Sequence, residues 1–342
     1  MPKKTRVSTR NAAEQRLQRR GQAHGATRAS AALRARGKVT AAAAGRSGLL
    51  VAEGDSWFDY PGADVLSLLE RSHGYRVESV AHHGDTIEAM AYDDGQLEKL
   101  VRIFQHVKQD GRVPRAILIS GGGNDIAGPE LAALLNHLDS GLPPLNEQVM
   151  AGIIDERLRF AVASVIGTVT ALSQQLFGRP IPVLLHGYAH PVPDGRGYLG
   201  GFWKLPGPWL KPSLSEKGHI VLADGCRIMA ELIDRFNRML LSIAGSAGFE
   251  HVTYVDVRPL LSARLPKDYL KSWDNELHPE DPGFARIAAE IDRVIRQVAP
   301  APPQPAADKV PKRSAGARSR KPAATRSRAS RAERVRKTGG RR

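Results

Sequence analysis

The sequence predicts an α/β fold: a doubly wound parallel sheet of about five strands. Two patterns predict it. Short apolar runs of strand length alternate with longer stretches whose apolar residues recur at steps of three and four. Residues capable of chemistry follow the apolar runs, where such a sheet places its ligand sites, at the C-terminal ends of the strands. The runs are Gly48 to Ala52, Tyr75 to Ala81, Ala116 to Ser120, Ile181 to His186 and His251 to Val257. The clearest helical stretch carries Met150, Ile154, Leu158, Val162, Val165, Val169, Leu172 and Leu176, and Gly178 and Pro180 stop it. Met229, Leu232, Ile233, Phe236, Leu240 and Ile243 mark a second helix. Ile287, Ile291, Val294, Ile295 and Val298 mark a third, ending before Pro300. Strands separated by helices require crossovers, and right-handed crossovers build a layered sandwich.

Charge divides the 342 residues into three parts. The tails carry +11 (residues 1–47) and +12 (residues 301–342) of the +15 overall, which leaves the body at −8. The high isoelectric point therefore describes the ends. Residues 1–47 are rich in Ala, Arg and Gln and poor in large apolar groups, so they are expected to be disordered, with a transient helix over Ala12 to Arg20. Residues 299–342 open on a Pro-rich hinge and continue as a Lys/Arg-rich tract, also expected to be disordered. The folded domain is expected over 48–298. Clustered Lys and Arg without interleaved aromatics suit non-specific, salt-sensitive binding of nucleic acid or another polyanion. A single cysteine, Cys226, excludes an internal disulfide and Cys-based zinc clusters, and the setting expected is cytoplasmic. Ala41 to Ala44 is too short for a secretory core, and no run reaches the roughly 18 apolar residues of a membrane span.

The first strand leads into Gly54-Asp55-Ser56-Trp57, and the second into His82-His83-Gly84-Asp85-Thr86. The third leads into Gly121-Gly122-Gly123-Asn124-Asp125, and a late loop holds Trp273-Asp274-Asn275-Glu276-Leu277-His278-Pro279. An alcohol nucleophile needs a base, which His supplies near neutral pH. A tetrahedral oxyanion needs donors placed in advance. Ser56 is read at a strand-to-helix turn, where a helix N-terminus favours negative charge. Gly84 offers an unobstructed backbone N–H and Asn124 a side-chain NH₂. Each motif alone has a plainer reading: Gly-Asp-Ser as an ordinary turn, the Gly-rich run as a loop with capping residues, the histidine as a loop residue.

In this order, the four blocks resemble the SGNH, or GDSL-like, hydrolase family. Gly54-Asp55-Ser56, Gly84, Gly122-Gly123-Asn124-Asp125 and His278-Pro279 carry the resemblance, which spans roughly residues 48–298. It implies a three-layer α/β/α sandwich of flavodoxin-like type. It also implies a serine hydrolase cleaving a carboxylic ester through an acyl-Ser56 intermediate, with no cofactor or metal. By the same resemblance His278 is the base, and the N–H of Ser56, Gly84 and Asn124 form the oxyanion hole. Two positions depart from the family pattern. Trp57 stands where Leu is usual, and reads as packing or pocket lining. Asn275 stands three residues before the histidine, where the family has Asp. In a serine protease of another fold, Asp-to-Asn at the equivalent place lowers kcat about 10⁴-fold through the wrong tautomer. Asp274, Asn275 or a backbone carbonyl is left to orient His278. The alternative is a weak or inactive binding module of the same fold, tethered to nucleic acid by its tails.

Other motifs fail. Phe58 occupies the last position of a nucleophile elbow, and Ile126 breaks a dinucleotide loop. His82 and His83 are expected to point apart, as neighbours in an extended chain do. Asp85 and Asp125 are expected to satisfy loop backbone donors, and Asp125 also to face substrate with Trp57, Tyr188 and Trp203. Residues 191–212, rich in Pro, Gly and aromatics, are expected to wall the site.

Overall fold

A computed structural model describes residues 47–198 and 206–300, together with scattered positions between 12 and 27. Five parallel strands form one sheet in the order β2-β1-β3-β4-β5. They are β1 (Leu49–Gly54), β2 (Arg76–Ser79), β3 (Ala116–Ser120), β4 (Val183–His186) and β5 (Val252–Val255). The helices are α1 (Val65–His73), α2 (Ile87–Tyr92), α3 (Asp94–Gln109), α4 (Pro129–Leu134), α5 (Glu147–Phe177), α6 (Lys211–Glu216), α7 (Leu222–Ile243) and α8 (Asp281–Val298). Strands β1, β3 and β4 are buried along their whole length, which is why they read as unbroken apolar runs; β2, at an edge, is not.

The chain leaves β1 toward β2 on one side and afterwards runs β3, β4, β5 on the other. Right-handed crossovers therefore set α1 on the opposite face from the helices that join β2 to β5. Helices α1 and α8 pack together, while α2, α3 and α7 pack on α5. The result is three layers. The strand order reverses between β1 and β3, and the crevice at that reversal is where a doubly wound sheet binds ligand.

Two features bear on the expectations for a membrane span and for residues 1–47. Helix α5, 31 residues long with π geometry over Ala151–Leu158, is long and apolar enough by length and composition to cross a bilayer. Its apolar period was read from Met150 to Leu176, and small and hydroxyl residues interleave with its Val and Ile, so it holds no unbroken apolar run. Of the qualifying window 61% is buried inside the fold. The described residues between 12 and 27 are helical, and they touch the body: the Gln18 amide donates to Ser246 Oγ and the Gln22 amide to the Gly248 carbonyl (3.0 Å). The tract 301–342 and Trp203 lie outside the described residues.

Candidate active site

Asp55 builds the turn that presents Ser56. Its Oδ1 accepts from the Trp57 N–H (3.0 Å) and the Ser120 hydroxyl (2.8 Å), and its Oδ2 from the Tyr188 hydroxyl. Its carbonyl accepts from Phe58 and Asp59 N–H, closing a single turn. No helix starts at Ser56, contrary to the sequence reading. Pro61 and Gly62 interrupt the chain, and α1 begins only at Val65. Any donor to an oxyanion here is the turn's own N–H, not a helix terminus.

The late loop brings the histidine back over β1. His278 Nε2 lies 2.8 Å from Ser56 Oγ, although 222 residues separate them. Trp57 ties the two segments, its indole N–H donating to the Leu277 carbonyl (3.1 Å). His278 Nδ1 lies 3.0 Å from Asn275 Oδ1. That oxygen also accepts the backbone N–H of Leu277 and of His278, both at 3.0 Å. Two backbone donors fix the amide with its oxygen toward the ring, so Nδ1 carries the ring proton and Nε2 is left to accept from the serine hydroxyl. The position expected to be open between Asp274, Asn275 and a carbonyl is therefore filled by Asn275. The tautomer problem of the protease analogue does not arise. Asp274 sits behind, its Oδ2 accepting from Asn275 Nδ2 and from the Tyr60 hydroxyl (2.9 Å each).

Tyr60 stacks on His278 (centroids 4.2 Å, planes 20° apart) and Trp209 meets the ring edge-on at 5.6 Å. Enclosed this way, His278 is 6% exposed, and burial lowers its pKa to about 3. On the reading of His278 as a base, the neutral imidazole is the competent form, so a lowered pKa extends competence toward acid. The acid limb of kcat/KM is accordingly expected below pH 5; a limb near the ordinary histidine value in mixed-buffer rate profiles would contradict this burial.

The loops after β2 and β3 are joined. Asn124 Nδ2 donates to the Asp85 carbonyl (2.9 Å). Asp125 takes the first N–H groups of α2 from Ile87 (2.8 Å) and Glu88 (3.4 Å). Its carboxyl, 4% exposed and raised to about 6 by burial, caps that helix and is not among the residues that line the pocket beside Ser56. Gly84, at φ +86°, turns the loop with nothing near its missing Cβ, so conformation and not space asks for glycine. Beneath this loop Gln96 Nε2 bridges Glu53 (2.9 Å) and Asp85 (2.8 Å), and burial pushes Glu53 up to about 8. His82 and His83 stack on each other at 4.3 Å instead of diverging, because Asp85 N–H folds back to the His82 carbonyl; both rings are exposed.

Ser56 and Asn124 border an apolar pocket of about 40 Å³, lined further by Trp57, Tyr188, Leu210, Met229 and Leu277. Trp57 and Tyr188, two of the residues expected to face substrate, are thus among those that line this pocket. In the described part of the segment expected to wall the site, Leu210 lines the pocket and Trp209 touches His278. What holds that wall is a residue the sequence reading passed over. Glu276, fully buried, accepts N–H groups from Gly195, Trp209, Leu210 and Lys211 at 2.7–3.1 Å. Arg196 adds bonds to the carbonyls of Trp273 (2.9 Å) and Asp274 (2.6 Å). Nothing in the sequence marked it out, since its neighbours Asp274, Asn275 and His278 are polar as well.

No protein-family model matches the chain. No curated protein matches it. Among solved structures it is similar to a lipase from a goat rumen metagenome (15% identity, 72% of this chain and 96% of that one, TM-score 0.43). It is also similar to TesA (16% identity, 73% and 99%, TM-score 0.39). A third is a catalytic mutant of Axe2, an acetylxylan esterase from Geobacillus stearothermophilus (14% identity, 76% and 96%, TM-score 0.38).

Proposed function

We propose that the protein is a serine hydrolase that cleaves carboxylic esters of short acyl chains through an acyl-Ser56 intermediate. The observation that carries the reading is the line Ser56 Oγ–His278 Nε2–His278 Nδ1–Asn275 Oδ1, at 2.8 and 3.0 Å, with the tautomer fixed by backbone donors. His278 takes the hydroxyl proton as Oγ attacks the ester carbonyl. The Ser56 and Gly84 backbone N–H groups and the Asn124 amide receive the oxyanion; one Asn124 N–H is held by Asp85, which leaves the other for this use. His278 returns the proton to the departing alcohol, and water then releases the acid by the same steps in reverse.

Pocket size supports the choice of acyl group. At about 10–15 Å³ of such space per water, 40 Å³ holds roughly three waters, the bulk of an acetyl to butyryl chain. The test combines labelling and turnover. A fluorophosphonate is expected to modify wild type and not Ser56→Ala, and p-nitrophenyl acetate or butyrate to be hydrolysed at least about tenfold faster than the decanoate. An unlabelled wild type with no turnover of either ester would favour the binding-module reading.

A further inference from the structure

We infer that Asp274 and Tyr60 are positioning residues that act on His278 through Asn275, so that the charge balancing the imidazolium stands one residue behind the group that touches the ring. This rests on the serine-hydrolase reading above. Asn275 is wholly buried, and a carboxylate there would lose its hydration. The neutral amide occupies that position instead. Its oxygen is committed to the ring and two backbone donors, and its Nδ2 donates to both Asp274 Oδ2 and Tyr60 Oη, 2.9 Å each. Tyr60 in turn donates to Asp274 Oδ2 and stacks on the ring. The three groups close a triangle whose only carboxylate is partly exposed and so keeps part of its hydration.

Hydrogen bonds in such a chain polarise one another, so a carboxylate on the amide nitrogen makes the amide oxygen a better acceptor. When His278 takes the Ser56 proton on Nε2, no further proton moves: Nδ1 keeps its own, and the amide dipole, enhanced by Asp274, meets the new positive charge. The other groups around the site are already engaged. Arg196 is paired with Asp194 (2.6 Å) and bonded to the Asp274 carbonyl; the Glu276 carboxylate faces the backbone N–H groups of the wall; Tyr198 meets Tyr60 edge-on at 5.9 Å; Trp209 carries no charge.

The experiment compares wild type, Asp274→Asn, Asn275→Asp and the exchange variant carrying both, with Ser56→Ala as the zero, on p-nitrophenyl acetate from pH 4 to 9. Asp274→Asn keeps the shape and removes the charge, so kcat is expected to fall about tenfold with KM within about twofold. The exchange variant puts the carboxylate directly on Nδ1. It is expected to recover most of the lost rate and to move the acid limb to higher pH, because an adjacent negative charge favours the imidazolium. Wild-type kcat in Asp274→Asn overturns the inference. So does an exchange variant that folds, by circular dichroism, and recovers nothing, since that outcome assigns Asp274 a purely structural part. A wild type that fluorophosphonate does not label fails at the hydrolase reading itself and takes this inference with it.

Discussion

Replacing His278 with alanine is expected to lower kcat for p-nitrophenyl acetate by about 10⁴- to 10⁶-fold, the range seen when the base of a serine triad is removed in other folds. The size follows from what is left. Among the described residues no second base stands free beside Ser56. Both Asp55 oxygens are taken by Trp57, Ser120 and Tyr188, and Tyr60 holds its proton far into the alkaline range because burial raises its pKa. Some rate over water should survive from the oxyanion donors, which the substitution does not touch. Steady-state rates measured against a Ser56→Ala baseline check this. A His278→Ala enzyme with a hundredth or more of wild-type kcat would place the base elsewhere.

Glu276→Ala is expected to destabilise the fold by about 4 kcal/mol and to loosen the site as it does so. Four backbone N–H groups converge on this carboxylate, and each buried donor left unpaired costs about 1–3 kcal/mol, less where water can enter. Burial raises the pKa of the Glu276 carboxyl while those four N–H bonds pull it down, the balance of a charge removed from water and then surrounded by donors. Urea unfolding would show a lower midpoint. Since Trp209 and Leu210 are among the released donors, acyl-chain discrimination should weaken in the protein that remains folded. A variant as stable as wild type and equally selective would mean that the wall stands without its anchor.

Much of this architecture is legible in the sequence because burial on both faces leaves an unbroken apolar signature. β3 falls where its run was read, and β1 extends two residues further, to Gly54. β2, β4 and β5 are shorter than their runs, since the chain ends of those runs turn away from pairing partners. Helix α3 carries an apolar period in Leu97, Leu100, Val101, Phe104 and Val107 that the sequence reading passed over. Helices α1 and α2 are too short to show one, and the starts of all three are set by capping contacts from Asp64, Thr86 and Asp93 that only the folded loop geometry reveals. The same divide runs through the site. Ser56, Asn124 and His278 stand out because their chemistry and order are distinctive. Asn275 could not be assigned from its identity, because an amide presents either an oxygen or an NH₂ and two backbone donors decide which. Glu276 and Tyr60 escaped notice because their roles depend on partners 65 to 215 residues away.

The 222-residue span between Ser56 and His278 has a consequence for how the protein is made. Ser56 leaves the ribosome with β1, whereas His278 follows only with the loop that precedes α8. On the proposed mechanism, a nascent chain that has not yet reached His278 carries a serine without its base, however well its sheet has formed. Reactivity then begins only when the loop that carries His278 docks over β1.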